Sequence, residues 1–248
     1  MKKSVADDHA TYGAEAEATP TRAGSAGRQL MSLAEQIAER IFTSIASGEY
    51  APGDRIREET IAEQLDVSRG PVREALRILE KDSVVRIQPN RGAHVTQLTI
   101  KEVGDLFEIR RDLIGAMVRR LAPHNDDLIA AIDAGVCELE SVGQGGGGAE
   151  AYLVVSNRLG RLLADASRNE RLAEIVGSLA RQTRRYSMLG LASAARRKES
   201  ARTWRAMVGA LKAGDANAAA DAVEDLIDAL RREAIRQLAL PLPTRTKD

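Results

Sequence analysis

Cysteine, histidine, long apolar runs and net charge are all scarce in this chain, and each scarcity excludes something. Cys137 is the single cysteine among 248 residues, so no intramolecular disulfide and no cysteine-ligated zinc or iron–sulfur centre can form. Such usage suits a reducing compartment, and a cytoplasmic location is expected. No stretch approaches the roughly 18 consecutive apolar residues that a membrane span needs. Met1-Lys2-Lys3 leads into no apolar segment, so neither insertion nor export is expected. Lys plus Arg number 36 and Asp plus Glu number 36, leaving no global excess to announce a nucleic-acid partner. Histidine occurs three times, as His9, His94 and His124, and never after His124. What remains is an ordinary soluble composition, 44% hydrophobic and 29% charged, in a chain long enough for one large domain or two small ones.

Residues 1–28 read as a disordered tail, dominated by Ala, Gly, Thr and mixed charge with no apolar period. From Leu33 the pattern changes. Leu33, Ile37, Ile41 and Ile45 recur every fourth residue, which predicts an amphipathic helix. Gly48 and the turn Ala51-Pro52-Gly53-Asp54 end it. A second helix is expected from Arg57 to Leu65, burying Ile61 and Leu65. After a tight break at Asp66-Val67, Ser68 caps a third helix from Arg69 to Lys81, with Val72, Leu76 and Leu79 inward and Pro71 tolerated in its first turn. The run Val84 to Gln88, the turn Pro89-Asn90-Arg91-Gly92 and the return Ala93 to Thr96 predict a hairpin. Three helices and a hairpin over 29–97 describe a winged helix-turn-helix.

Charge within that segment is placed rather than abundant. Over 29–97 there are 9 Lys/Arg against 11 Asp/Glu, but over 68–91 there are six positive charges against three negative. The positive charge therefore gathers on the third helix and the wing, the two elements such a fold offers to double-stranded DNA. Arg69 and Arg73 lie four apart on one face of the helix start, where an Arg can fork onto guanine O6 and N7 and free N–H groups favour phosphate. The alternative is a solvated face, with these arginines paired to Glu74 or Glu80.

The remainder, 98–240, is helical in pattern, giving a mainly α protein whose second part is an all-helical bundle. Thr99-Ile100-Lys101-Glu102 forms a capping box, and its helix carries Val103, Leu106, Leu113 and Met117 on one stripe to near Pro123. Asn125 caps the next, with Leu128, Ile132, Val136 and Leu139. Gly143–Gly148 reads as a flexible loop. Further helices are expected over 149–166, 169–190, 199–213 and 216–238, six in all, with 241–248 left as a C-terminal tail. Arg110 shares the apolar stripe of the first of these helices. A buried guanidinium needs an anion, supplied either by a ligand carboxylate or phosphate, or internally by Asp165 or Asp112 unless the side chain snorkels out. Arg184, Arg185 and Tyr186 form another polar group near the core. No Gly-rich phosphate loop, Ser-His-Asp set, Cys–His pair or metal-ligand motif is present, so catalysis is not expected.

Ala51-Pro52-Gly53, Ile61-Ala62-Glu63-Gln64-Leu65, Val67-Ser68-Arg69-Gly70-Pro71-Val72-Arg73-Glu74-Ala75-Leu76 and Asn90-Arg91-Gly92 resemble the N-terminal domain of GntR-family transcription regulators. The helical part resembles the FCD domain of the FadR subfamily, the likeness running from Leu33 to Gln237. The resemblance implies a homodimer on a two-fold-related operator, released by a small-molecule effector, commonly an organic acid, and a repressor is the expected output. It assigns DNA contacts to Ser68, Arg69, Gly70, Arg73, Asn90, Arg91 and Gly92, with Arg57 adding a phosphate contact. Leu65-Asp66 replaces the family's usual Leu-Gly, and an acid there is expected to weaken phosphate attraction or orient Arg69.

Many FCD domains hold a divalent metal with one Asp and three His. The resemblance places those ligands on Ser156, Gly160, Trp204 and Leu226, none of which matches, and a three-His site cannot be built from a segment without histidine. A carboxylate-only site lacks an acidic cluster on the apolar faces. No metal or other cofactor is therefore expected. The small Ser156 and Gly160 open space that Trp204 and Leu226 either fill or line, so the old site is packed shut or reshaped into a drier pocket with an indole wall. Arg110, Ser156, Gly160, Arg184 and Trp204 are the candidate effector contacts.

Overall fold

A computed structural model of the chain describes residues 31–121, 125–144 and 147–240. The tails expected over 1–28 and 241–248, Pro123 with His124, and part of the Gly143–Gly148 loop lie outside the described residues. The order of elements is α1 (Leu33–Ser47), β1 (Arg55–Ile56), α2 (Glu58–Leu65), α3 (Arg69–Lys81), β2 (Val85–Gln88) and β3 (Gly92–Val95), followed by helices alone. These are α4 (Ile100–Arg119), α5 (Asp126–Gln144), α6 (Gly148–Ala166), α7 (Glu170–Gln182), α8 (Arg184–Gly190), α9 (Ala194–Lys212) and α10 (Ala216–Leu238).

Helix α1 starts at a capping box in which Ser32 Oγ accepts from the Glu35 N–H and the Glu35 carboxylate accepts from the Ser32 N–H. It stops at Gly48, whose φ of 89° is open to glycine at little cost. Its inward stripe is Ile37, Ile41 and Ile45 with Phe42, while Leu33, expected inside, is exposed because it lies in the first turn, beyond the reach of the sheet and α3. These side chains share one core with Ile56, Ile61, Val72, Leu76, Leu79, Val85 and Val95. The hairpin pairs Arg86 with His94 and Gln88 with Gly92, and its turn uses Asn90 and Gly92 at φ 62° and 83°. The sheet has a third strand that sequence periodicity does not announce. β1 adds to β3 through Arg55↔His94 and Ile56↔Ala93, giving the order β1-β3-β2. Two residues are too few for a period-two pattern.

The second core belongs to the helical half, where α10 packs on α4, α8 and α9, and α5 packs on α6 and α9. Gly190 lets α8 lie against α10, for a Cβ there would meet the Leu230 carbonyl at 2.9 Å. Asn169, Ser193 and Asp215 cap α7, α9 and α10, each accepting from a backbone N–H three residues on.

Five expectations for this half need correction. The α4 stripe is Val103, Phe107, Ile114 and Met117, one residue out of phase with the expected Leu106 and Leu113, which are half-buried. The aromatic ring of Phe107 outweighs the leucine beside it in claiming the core. Helix α4 also ends at Arg119, and α5 extends through Gln144 into the expected loop. Helix α9 begins at Ala194, because Ser193 caps it one and a half turns before the expected start. Finally, the helix expected over 169–190 is two helices interrupted at Thr183, so among the described residues this half has seven helices where six were expected.

Candidate nucleic-acid interface and ligand cavity

Helix α3 presents its N-terminal turn to solvent. Ser68 stands at the N-cap with extended backbone, yet its hydroxyl makes no bond to the helix and stays free for another partner. Arg69 and Arg73 lie on one face, both side chains 53% exposed. Gly70 between them has no neighbour closer than Ser68 Oγ at 3.9 Å from a built Cβ, so its smallness keeps the surface low. Asn90, Arg91 and Gly92 form the hairpin tip, with Arg55 packed beside Gly92. Arg57 is exposed at the N-cap of α2.

The partners of these arginines differ from expectation. Glu74 pairs with Arg77, and the Glu80 carboxylate accepts from the Ile87 N–H. Arg73 instead donates through Nε and Nη2 to Glu58, at 3.3 and 3.0 Å, and Arg69 Nη2 reaches Glu58 at 3.3 Å and Glu59 at 2.9 Å. The donated hydrogen bond from Arg73 holds the Glu58 carboxyl below the usual carboxylate range, and Arg73 is raised in return. The orienting role expected of Asp66 thus falls to α2. Asp66 itself takes the left-handed conformation at the C-cap of α2, φ 51°, where the related pattern carries glycine. Sequence spacing could not single out Glu58, since eleven and fifteen residues separate it from its partners.

In the helical half, Arg110, Ser156, Gly160, Arg184 and Trp204 all line one cavity of about 200 Å³. Leu153, Ile114, Val176, Val223 and Leu226 contribute apolar wall, while Glu39 and Phe42 of α1 close it from the winged half. Trp204 is only 3% exposed and its Nε1 has no hydrogen-bond partner among the described residues. A Cβ at Gly160 would touch nothing within 4 Å, so that position is open space.

Arg110 is the unusual member. Its Nη1 donates to Thr183 Oγ1 at 3.1 Å and to Ser187 Oγ at 3.5 Å, while its Nε has no partner among the described residues. Asp112, one internal candidate, is held by Arg111 instead. Burial alone pulls the guanidinium pKa down to about 10, with no carboxylate close enough to offset it, and it stays charged at pH 7. Thr183 Oγ1 meanwhile donates to the Leu179 carbonyl at 2.7 Å, so this hydroxyl links the interrupted helix to the buried charge. Thr183 and Ser187 lie four apart, a spacing that puts two hydroxyls on one helical face.

The same α7–α8 segment grips the winged half. Arg181 forks onto Asp82, at the end of α3, with Nε and Nη2 at 2.6 and 2.8 Å. Arg184 sits over the Phe42 ring at 5.3 Å, and Arg185 Nη1 donates to the Ile45 and Tyr50 carbonyls at 3.4 and 3.3 Å. Of the expected trio Arg184, Arg185 and Tyr186, only Arg184 reaches the cavity.

Ser156, Gly160, Trp204 and Leu226, the four positions that family resemblance gives to metal ligands, converge on this cavity. A hydroxyl, a hydrogen, an indole and an alkyl group are no donor set for a divalent metal, so these residues do not fit the family's ion. The space is a cavity with largely apolar walls, a tryptophan face, several guanidinium groups and one carboxylate, that of Glu39.

An exposed, arginine-tipped helix beside a hairpin wing, joined to a helical domain around a cavity, defines the class of winged helix-turn-helix transcription regulators. Residues 33–95 match the family described as "Bacterial regulatory proteins, gntR family" and residues 105–229 match "FCD domain". The chain belongs to the GntR family and carries an FCD domain. It is 30% identical over 185 residues to the "Probable D-xylose utilization operon transcriptional repressor" of Paenarthrobacter nicotinovorans, covering 74% of this chain and 80% of that one. It is 29% identical over 142 residues to the HTH-type transcriptional regulator YdhC of Bacillus subtilis, covering 57% of this chain and 63% of that relative. Among solved structures, E. coli McbR/YncC superposes with a TM-score of 0.73 at 20% identity, over 84% of this chain and 100% of the other, a likeness of fold. The family and these relatives are transcription regulators, not enzymes. Among the described residues, no helix is long and apolar enough to cross a membrane.

Proposed function

We propose that this chain is a cytoplasmic, homodimeric regulator of the FadR subfamily, a repressor whose hold on a two-fold-related DNA operator is set by a small organic acid in its helical domain. Residues 29–97 read DNA, and 98–240 bind the effector and pair the subunits. The observation that carries the ligand-gated reading is Arg110, a half-buried guanidinium with an unpartnered inner Nε, met only by two hydroxyls at the wall of a cavity that also touches α1. A charge partly withdrawn from water without an ionic partner is destabilised, and an arriving anion relieves it. A carboxylate would satisfy Arg110 and Arg184 directly, without a metal, while an apolar body lies against Trp204, Leu153 and Val223. At about 200 Å³ the space suits a metabolite smaller than the roughly 300–1,000 Å³ of drug-sized sites.

On the DNA side, Arg69 and Arg73 with Ser68 and Gly70 face the major groove. Asn90, Arg91 and Gly92 reach the neighbouring minor groove or backbone, and Arg57 takes a phosphate. Coupling runs through Arg184. An anion that draws this side chain inward competes with its place over Phe42, and loosening that contact changes the angle of the winged domains and so the half-site spacing.

The experiment is thermal shift with mono- and dicarboxylates, followed by gel shift on a duplex selected from a random library. A ligand at a hundred times its Kd raises stability by about 2.7 kcal/mol, and the shift should vanish in Arg110→Met. Silence across the panel, with operator binding intact, would instead favour a regulator whose helical domain works without an effector.

A further inference from the structure

A guanidinium offers five N–H donors in a planar fork. Arg73 turns the Nε–Nη2 edge of that fork onto Glu58, which leaves Nη1 pointing away. Arg69 commits only Nη2, shared between Glu58 and Glu59. Glu58 sits in the first turn of α2, where the helix dipole favours a carboxylate, and its side chain is 24% exposed against 53% for each arginine. One sheltered carboxylate on the supporting helix therefore grips two exposed side chains of the recognition helix from behind.

We propose that Glu58 is a positioning and specificity residue of the DNA interface, fixing the inner edges of Arg73 and Arg69 so that their outer edges meet base pairs in a set orientation. This inference rests on the DNA-binding reading above. Two effects of opposite sign follow. The sequence-specific complex gains, because long side chains are already held in the geometry that bidentate readout needs. Non-specific binding loses, because it depends on the positive charge offered to phosphates and Glu58 cancels part of it. A carboxylate that merely masked charge would weaken binding to every duplex alike, and an ordinary surface ion pair would alter neither.

The test uses the full-length protein, a duplex selected by the wild type from a random library, and a scrambled duplex of the same length, with affinities read by fluorescence anisotropy across a salt series. Glu58→Gln is expected to bind the scrambled duplex about 3-fold tighter at low salt and the selected duplex about 5-fold weaker. Glu58→Asp keeps the charge but shortens the arm. It should leave scrambled binding unchanged and lower the ratio of the two affinities about 5-fold. An unchanged ratio in both variants overturns the proposal, including the case where both affinities move together. Should circular dichroism show Glu58→Gln unfolded, Glu58→Asp decides alone. A wild type that enriches no sequence and binds no duplex removes the DNA reading and this proposal with it, a result plainly different from a retained operator with an unaltered ratio.

Discussion

Arg73 and Arg110 are the same side chain in two solvents. At the tip of α3, Arg73 is half exposed to water and still has a carboxylate partner in Glu58. Within the helical half, Arg110 is desolvated and has only the hydroxyls of Thr183 and Ser187. Stability alone would arrange matters the other way, since a charge in water needs no partner and a buried one does. The contrast separates two uses of a cation. Where water already satisfies it, a carboxylate is free to orient it; where only two hydroxyls meet it, an arriving anion would gain the most.

The largest effect is expected from removing the exposed cations. Arg69→Ala with Arg73→Ala should lower affinity for the selected duplex by on the order of a hundredfold or more, at about 1–3 kcal/mol for each readout contact. Melting temperature should scarcely move, and gel shift beside calorimetry checks both. Specific binding that survives intact would overturn the assignment of the tip.

Arg110→Met should do the reverse. Replacing a poorly compensated buried charge with an apolar side chain of similar length should stabilise the fold by about 2 kcal/mol, or roughly 4–8 °C of melting temperature for a protein of this size. It should also abolish any stabilisation by carboxylates. A variant that melts lower than wild type would show that Arg110 is already satisfied.

Thr183→Val sharpens the comparison from the partner's side. It keeps shape but takes away the nearer acceptor of Arg110, and a loss of about 1–2 kcal/mol is expected in denaturant titration. Carboxylate binding should survive, because an anion can replace the lost hydroxyl.

The smallest effect concerns pH at the tip. Glu58 in the folded chain titrates below its ordinary value of 4.5, so its contribution is fully present above that pH and is lost as pH falls through the depressed value. Wild type and Glu58→Gln should differ by less than about 1 kcal/mol near neutrality and converge in acid. A gap that persists at low pH would mean that the ion pairs with Arg69 and Arg73 are not its source.

Much of this was legible in the chain itself. Helix α3, the wing and the caps at Thr99 and Asn125 follow from local rules that act over three or four residues. The cavity set was legible too, because small residues at Ser156 and Gly160, a lone Trp204 and an arginine on an apolar stripe break the pattern of a sealed core. Phe107 and Ile114 were missed because a one-residue shift of phase leaves helical periodicity almost as good. β1 was missed because its existence depends on β3 rather than on its own residues.

Local sequence determined that most segments are helical, that Arg69 and Arg73 share the first turns of α3, and that no histidine cluster could hold a metal in the helical half. These outcomes depend on interactions between near neighbours along the chain, which composition and spacing report directly. Only tertiary packing decided that Glu58 backs Arg69 and Arg73, that Thr183 interrupts a helix to meet Arg110, and that α1 helps to enclose the cavity. In each case the partners lie far apart in sequence, and burial and charge become energies only once the fold has set the distance between them.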